Sequence, residues 1–291
     1  RKPVLGEIKA KLREQKTNQL KNKAKFIRES LPATKQRTMD LINEKGASSW
    51  LTVLPLKEHG FNLNKSEFRD ALCLRYDWQL KGLAQHCVCG TNFSTDHAMI
   101  CPHGGMTIIR HNEIRDITAD WLSEVCSETE KEPQLQPITR ESIFPQSANK
   151  RDDARADIKA RGFWCRQQSA FFDIRVFHPN APSYRNSSIA SLYRNQEQMK
   201  KREYGDRIRE IEHGSFTPLV FSTSGGLGKE STVAYKRIAE LLAIKRKSEY
   251  GIILAWMRCC LSFALLRSAI ACIRGTRKCA REMNNKDLEL G

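Results

Sequence analysis

Acidic residues are too few in this sequence to balance its basic residues. Its 291 residues contain 33 Asp and Glu against 49 Lys and Arg, which gives a formal net charge of +16. Residues 1–45 alone hold 13 basic and 5 acidic side chains. An excess of this size favours a polyanionic partner, and nucleic acid is the first choice because phosphate contacts supply most sequence-independent affinity. An anionic membrane surface is the weaker alternative.

Two further features are missing. The ten cysteines are not spaced like a disulfide framework, and a chain of this length does not need disulfides to fold. We therefore expect that the protein works in a reducing compartment. The apolar segment 252–273 is also not an uninterrupted run, because it contains Arg258 and Arg267. Each arginine costs about 2.5–3.5 kcal/mol at a bilayer centre. We therefore predict a buried or interfacial helix there and no membrane partner.

Charge and apolar content divide the chain into five predicted segments. These are a basic helical arm (1–45), a helical linker (46–86), a Cys/His-rich segment (87–109), an α/β core (110–230) and a C-terminal helical region (231–291). The arm is read either as a solvated charged segment or as a nucleic-acid contact.

Helix and strand patterns follow one another in the core segment. The predicted elements are a helix over 110–126, strands over 134–139, 154–161 and 170–177, a helix over 189–210, a strand over 217–222, and a helical region over 231–274, possibly broken near Gly251. The strands at 154–161 and 170–177 alternate apolar and polar residues with period two, and a short turn joins them as a hairpin. This order predicts a compact α/β fold.

The stretch HCVCGTNFSTDHAMICPHGG carries a candidate metal centre. Cys87, Cys89, His97 and Cys101 offer three thiolates and one imidazole, a set suited to tetrahedral Zn²⁺. The spacing of the first two cysteines, C-x-C, is tighter than the usual C-x-x-C, so His86 or His103 is an alternative ligand. Four protein ligands leave no open position, which favours a structural zinc over a catalytic one.

Two aspartates form the candidate catalytic centre. Asp157 and Asp173 each lie within one of the hairpin strands, and pairing of those strands would project both carboxylates from one side of the sheet. Such a pair suits Mg²⁺, which prefers oxygen ligands and supports phosphodiester cleavage. The alternative is a solvent-facing polar strand with Asp–Arg pairs, and spacing alone favours that alternative.

A lysine is wanted beside these carboxylates. Arg175 follows Asp173 by two residues, but a guanidinium stays protonated near neutral pH and cannot act as a general base, although it can bind phosphate. The next helix offers Lys200 and Lys201 shortly before Tyr204. A plain charged helix face is the alternative for this lysine pair.

Taken together, these motifs resemble the C-terminal region of site-specific non-LTR retrotransposons. The similarity lies in the order and spacing of five motifs over about residues 87–225. These motifs are C-x-C-x7-H-x3-C, CPHGGMTIIRHNEIRD, RADI, FFDIRV and KKREY. In that family a zinc knuckle and a restriction-enzyme-like endonuclease of the PD-(D/E)xK class follow a reverse transcriptase. The fold implied is a restriction-endonuclease-like core of a helix, three strands, a helix, a strand and a helix, preceded by a zinc knuckle.

The resemblance also implies roles for individual residues. Asp157 matches the aspartate of the family's KPD motif, although Arg155 and Ala156 replace its Lys and Pro, and Asp173 matches the aspartate of its DxxV strand. Lys201 matches the lysine displaced onto the next helix, and Lys200 is the alternative. The predicted nucleic-acid contacts are Arg110, His111, Asn112, Arg155, Lys159, Arg175 and Tyr204.

The function implied is a DNA endonuclease that nicks a target site to prime reverse transcription. It implies Mg²⁺ or Mn²⁺ at Asp157 and Asp173 and a structural Zn²⁺ in the knuckle. It also implies a DNA target, possibly element RNA, and a reverse transcriptase domain of the same polyprotein as partners, and a nuclear location. The alternatives are a non-catalytic nucleic-acid-binding module and an interfacial protein built around the apolar C-terminal helix.

Two other patterns are set aside. STSGGLGKES resembles a phosphate-binding loop but has Glu230 where Ser or Thr is needed, so a strand-to-helix turn is the better interpretation. His178 and His213 stand near Pro and Gly and are interpreted as ordinary loop histidines.

Overall fold

A computed structural model of the chain describes residues 2–136 and 155–275, and within them it is a mixed α/β fold with nine α-helices and one four-stranded sheet. The helices are α1 (Lys2–Ser30), α2 (Ala33–Ile42), α3 (Ser49–Thr52), α4 (Lys65–Tyr76), α5 (Thr95–Ile100), α6 (Met106–Val125), α7 (Ile189–Glu210), α8 (Lys229–Lys245) and α9 (Tyr250–Arg274). The strands are β1 (Glu128–Lys131), β2 (Ile158–Arg161), β3 (Ser169–Phe177) and β4 (Ser215–Ser222). Short 3₁₀ turns form at Lys57–His59 and Pro182–Tyr184.

The sheet has the order β1-β2-β3-β4. β1 and β3 both run antiparallel to β2, while β4 runs parallel to β3, and α7 makes the connection between the two parallel strands. The predicted hairpin and the predicted order of elements are therefore confirmed, and α7 has the boundaries that its sequence pattern predicted.

Both faces of β3 pack against helices, although Arg175 stays exposed. Phe172 and Ile174 pack into the main core with residues of α6, α8 and α9, whereas Phe171 and Phe177 pack against α7. Since side chains alternate along a strand, Asp173 lies on the α7 side, and only 4% of its surface is exposed. The interpretation of this strand face as solvent-facing is wrong for Asp173.

Parts of the two N-terminal segments pack on the core, although α1 itself is exposed along most of its length. Arg37 of α2 donates hydrogen bonds to the carbonyl oxygens of Pro179, Tyr184 and Ser187, in the connection between β3 and α7. Trp50 and Phe61 pack against the side of α9. The boundaries proposed at residues 45 and 86 stay predictions, but both segments contribute to the packed structure.

Helix α9 is apolar because it is enclosed. It is the one helix in the described part of the chain that is long and apolar enough to cross a membrane. Its buried side chains belong to three clusters, formed with the sheet and α8, with α3 and α4, and with the Cys/His-rich segment. A helix packed on several sides needs apolar residues all round. The predicted helical region breaks just before Gly251, between α8 and α9.

The first strand is the main difference from the predicted elements. The structure forms β1 at Glu128–Lys131, whereas the predicted strand at 134–139 lies partly outside the described residues, with Gln134 making only an isolated bridge to Arg155. β1 is an exposed edge strand with the sequence ETEK. Edge strands carry charged residues that prevent further pairing, so they lack the apolar alternation by which a strand is recognised.

The glycine-rich stretch after β4 is a strand-to-helix turn, as predicted. Gly228 precedes the first residue of α8, and the Glu197 side chain accepts a hydrogen bond from the Glu230 backbone N–H at that helix end. Gly226 has no room for a side chain, because a Cβ there would lie 2.1 Å from the Glu44 carboxylate. The side chains of Glu44 and Glu197 therefore occupy the space at this turn where a phosphate-binding loop would hold its ligand.

Candidate active site and metal centre

The two predicted catalytic aspartates line one cleft. The β2–β3 ladder pairs Ile158 with Phe172, and Asp157 and Asp173 are the next residues beyond that pair. The Asp157 backbone N–H still donates to the Phe172 carbonyl at 3.0 Å, but its carboxylate Oδ2 accepts from the Ile174 N–H. At this end of the strand pair, the Asp157 carboxylate takes the place of a backbone carbonyl as the acceptor for the Ile174 N–H. This hydrogen bond fixes the position of the carboxylate. The cleft has a volume of about 660 Å³, enough for a nucleotide-sized group.

Asp173 is the most perturbed carboxyl group of the cleft. Burial raises its pKa to about 7, and the nearby charge of Asp157 raises it in the same direction. Its Oδ2 lies 3.1 Å from the Lys200 Nζ but has no hydrogen bond of good geometry among the described residues. A buried carboxylate oxygen without a hydrogen bond is a position that a cation can occupy.

Lys200, not Lys201, reaches the carboxylates. The Lys200 ammonium lies between Asp173 and Glu203, 3.2 Å from the latter, and 5.1 Å from the centre of the Tyr204 ring. Burial lowers the pKa of Lys200, but the two carboxylates outweigh burial and the pKa is raised. Lys201 instead forms a 2.8 Å ion pair with Glu230 at the start of α8. The structure therefore places the lysine indicated by the family resemblance outside the carboxylate pair.

His111 also meets the aspartates. Its Nε2 lies 2.9 Å from the Oδ1 of Asp157, so both oxygens of that carboxylate have a partner. Asn112 lies half-buried beside it on α6. His111 was predicted to contact nucleic acid, and the structure gives it a direct contact with a candidate catalytic residue.

Two arginines line the cleft, one of them buried and the other exposed. Arg110 is only 3% exposed and donates to the Met99 carbonyl oxygen at 3.2 and 3.3 Å. Arg175 is exposed, and its Nε donates to the Oε1 of Gln196 at 3.3 Å. Arg110 therefore belongs to the wall of the cleft and not to the outer surface.

The remaining predicted contacts lie at the rim or away from the cleft. Arg155 and Tyr204 line it, and Arg155 lies 3.9 Å from Glu132. Lys159 lies 3.8 Å from Glu130 of β1, on the sheet edge. Lys159 is therefore a cross-strand ion-pair partner in this structure.

The predicted knuckle residues converge. The ligand atoms of Cys87, Cys89, His97 and Cys101 all lie within 4.8 Å of one another, so this cluster can bind a metal such as zinc. Hydrogen bonding with Thr91 lowers the pKa of Cys89 to about 6, which makes its thiolate available near neutral pH. Both cysteines of the C-x-C pair take part.

Local chain geometry explains the convergence at the knuckle. Ser94 caps the N-terminus of α5 by accepting from the His97 N–H, and Cys101 follows the last residue of the helix. His103 lies 4.0 Å from the Cys101 sulfur, outside the four-residue cluster. The predicted ligand set is thus gathered without either alternative histidine.

Helix α5 connects the knuckle to the cleft. Its Met99 carbonyl holds Arg110, the neighbour of His111, and its Asp96 lies 2.9 Å from the Nε2 of His178, which follows β3. The other ring nitrogen of His178 lies 2.7 Å from the Thr223 hydroxyl. His178 lies in the loop after β3, as predicted, but it is buried there and connects the knuckle segment to the residue that follows β4.

Gln196 and Glu203 were not found by sequence reasoning. Gln196, Lys200 and Glu203 fall three or four residues apart on α7, which places them on one helical face. That spacing is the signal that could have identified both residues and favoured Lys200 over Lys201.

No protein-family model matches the sequence, and no curated protein is significantly similar to it. What the site can do therefore rests on its geometry and on the resemblance of its motifs.

Proposed function

We propose that this chain is a metal-dependent DNA endonuclease with a restriction-endonuclease-like core. The observation that carries the proposal is the convergence of Asp157, Asp173 and Lys200 in one cleft of a strongly basic protein. A plain polar strand face does not require a buried carboxylate whose pKa is raised to about 7 beside a second carboxylate. Such perturbed groups cluster at functional sites.

The carboxylates fit Mg²⁺ or Mn²⁺. Asp157 and Asp173 would hold the ion, since both supply hard oxygen ligands and the Oδ2 of Asp173 is buried without a hydrogen bond among the described residues. When bound, such an ion activates water and stabilises the charge on the phosphate. The backbone N–H of Ile174 and the imidazole of His111 keep the Asp157 carboxylate in place.

Lys200 has an electrostatic role in this proposal. Its raised pKa keeps the amine protonated at neutral pH, so it stabilises phosphate charge and does not remove a proton. In the hydrolysis, the oxygen of water bonds to phosphorus as one phosphorus–oxygen ester bond breaks, while the attacking water gives a proton to solvent and the departing oxygen takes one up. Lys200 lies close enough to Asp173 to contact a phosphate held at the same place.

The resemblance supplies the biological setting of the proposal. The chain would nick a chromosomal target in the nucleus and so prime reverse transcription, together with a reverse transcriptase domain of the same polyprotein and possibly element RNA. A structural zinc would occupy the Cys87, Cys89, His97 and Cys101 cluster. The basic arm and Arg155 would add contacts to the DNA backbone.

The proposal is tested with a supercoiled plasmid in Mg²⁺, Mn²⁺ or Ca²⁺. Asp157→Asn and Asp173→Asn should each abolish nicking while DNA affinity, measured by fluorescence anisotropy in Ca²⁺, stays nearly unchanged. Asp206→Asn is the matched control, since the Asp206 side chain is 82% exposed on the same helix as Lys200.

Nicking retained by either cleft variant would overturn the proposal. Salt-sensitive DNA binding by a wild-type chain that never nicks would instead identify a non-catalytic binding module.

A further inference from the structure

Arg110 and Arg175 lack, among the described residues, the carboxylate partner that several other arginines of this structure have. Arg28, Arg246 and Arg274 each pair with a carboxylate, namely Asp40, Glu124 and Asp70. No carboxylate among the described residues pairs with Arg110 or with Arg175. Both arginines line the cleft that contains Asp157 and Asp173.

Arg110 is a buried positive charge without a counter-ion in the described part of the chain. Two of its nitrogens donate to the Met99 carbonyl, and its Nε is buried without a hydrogen-bond partner. Burial lowers the pKa of Arg110, and the positive charge of Arg175 lowers it further. Burying a charge is costly unless an opposite charge is supplied. The two guanidinium groups therefore create a local positive field inside the cleft.

Arg175 is held in position from its inner end. The buried Gln196 accepts from the Arg175 Nε at 3.3 Å, and its own amide donates to the Tyr184 hydroxyl at 3.0 Å. This chain of hydrogen bonds uses the Nε of Arg175, and its two terminal nitrogens make no hydrogen bond among the described residues. A guanidinium fixed in this way is prepared to bind a phosphate through two parallel hydrogen bonds.

The strand sets the distance between this arginine and the catalytic centre. Asp173 and Arg175 are two residues apart on β3 and share one face, so their Cα atoms are separated by about 6.7 Å. Successive phosphates of a nucleic-acid strand are separated by a similar distance. Along α7, the turn from Gln196 to Lys200 spans a comparable length, so Arg175 meets Gln196 while Asp173 meets Lys200.

We infer that Arg175, supported by the buried charge of Arg110, binds the phosphate adjacent to the scissile phosphate of the same nucleic-acid strand. This inference rests on the proposed endonuclease function and specifies how the strand lies in the cleft. The strand runs along β3, with one phosphate at Asp173 and Lys200 and its neighbour at Arg175. Affinity at the second position comes from charge and geometry and carries no base specificity.

Binding gives the first test, because it requires no cleavage. Arg175→Met should weaken DNA binding in Ca²⁺ roughly tenfold and lower the salt dependence of log K by about one phosphate contact. Arg175→Gln keeps a polar side chain and guards against a variant that fails to fold. Arg237→Met is the control, since Arg237 is exposed on α8 and pairs with Glu240. An unchanged salt dependence in the folded Arg175 variants, or a wild-type chain without DNA affinity, overturns the inference.

Position along the strand gives the second test. In an oligonucleotide duplex that the wild-type chain nicks, a neutral methylphosphonate replaces the phosphate immediately 5′ or 3′ of the cleavage site. At one of these positions it should slow wild-type nicking roughly tenfold and should not slow Arg175→Met further. Equal sensitivity of wild type and variant at both positions contradicts the inference. That result leaves the endonuclease proposal intact, because the latter depends on Asp157→Asn and Asp173→Asn.

Discussion

The Nζ of Lys200 lies 3.1 Å from the Oδ2 of Asp173, across the interface between α7 and β3. The helix connects β3 to the strand that runs parallel to it, so this contact is a consequence of the crossover connection. It brings a cation from the helix to a buried carboxylate that the hairpin places beside Asp157. The sheet and its crossover helix together create a site that neither element contains alone.

Replacing each of the two neighbouring lysines by methionine should separate their roles. Lys200→Met should lower nicking roughly a hundredfold, because it removes the ammonium beside the phosphate position. Lys201→Met should change nicking less than about twofold, since exposed ion pairs such as Lys201–Glu230 contribute little. Initial nicking rates and DNA affinity in Ca²⁺ are the measurements. A large loss in Lys201→Met with normal activity in Lys200→Met would assign the role to Lys201.

His111 should act by positioning Asp157. His111→Ala removes the 2.9 Å contact and should lower nicking and the affinity for Mn²⁺ roughly tenfold or more, as the loss of partners behind metal ligands does. His111→Gln keeps a donor and should restore part of both quantities. Ser123→Ala, at an exposed position of the same helix, is the control. Mn²⁺ affinity is measured by calorimetry, and an unchanged value in His111→Ala contradicts the positioning role.

The knuckle should bind one zinc per chain and stabilise the cleft. Cys101→Ser removes one of the four clustered ligands and should abolish bound zinc, lower the melting temperature and reduce nicking, because α5 holds Arg110 through Met99. Cys165→Ser is the matched control, since Cys165 is an exposed free cysteine outside the cluster. Metal content by mass spectrometry and melting temperature are the readouts. Full zinc occupancy in Cys101→Ser is the result that rejects this ligand set.

Glu44 should make stability depend on pH near neutrality. Burial raises its pKa to about 7, although a hydrogen bond from Tyr193 opposes the shift. A carboxyl group with a raised folded-state pKa stabilises the protein fully below its unfolded pKa, and this contribution is lost as the pH rises through about 7. Glu44→Gln should therefore increase the free energy of unfolding above pH 7, by on the order of 3 kcal/mol at most, and by little near pH 4.

Urea unfolding at several pH values measures this effect. Glu14→Gln, an exposed position on α1, is the control and should shift stability equally little at every pH. A Glu44→Gln chain that is less stable than wild type at pH 8 would show that the ionised carboxylate is the favoured form.

Much of the fold follows from patterns that extend only a few residues. The boundaries of α7, the β2–β3 hairpin and the four clustered knuckle residues all agree with their sequence spacing, because helix and strand periods are properties of the backbone. The charged edge strand β1 is harder to predict from the sequence, since an edge strand needs no apolar face. The parallel pairing of β3 with β4 is also harder to predict, because it joins segments far apart in the chain.

The sequence by itself determined which residue types were available: two carboxylates in the predicted hairpin, of which Asp157 lies just before β2, a lysine pair on the next helix and four metal ligands in the knuckle. Tertiary structure alone decided which lysine faces Asp173, since adjacent helical residues point about 100° apart and the packing of α7 on β3 selects one of them. It also decided that His111 meets Asp157 and that Arg110 is buried. These contacts join residues far apart in the chain, and no local period connects such residues.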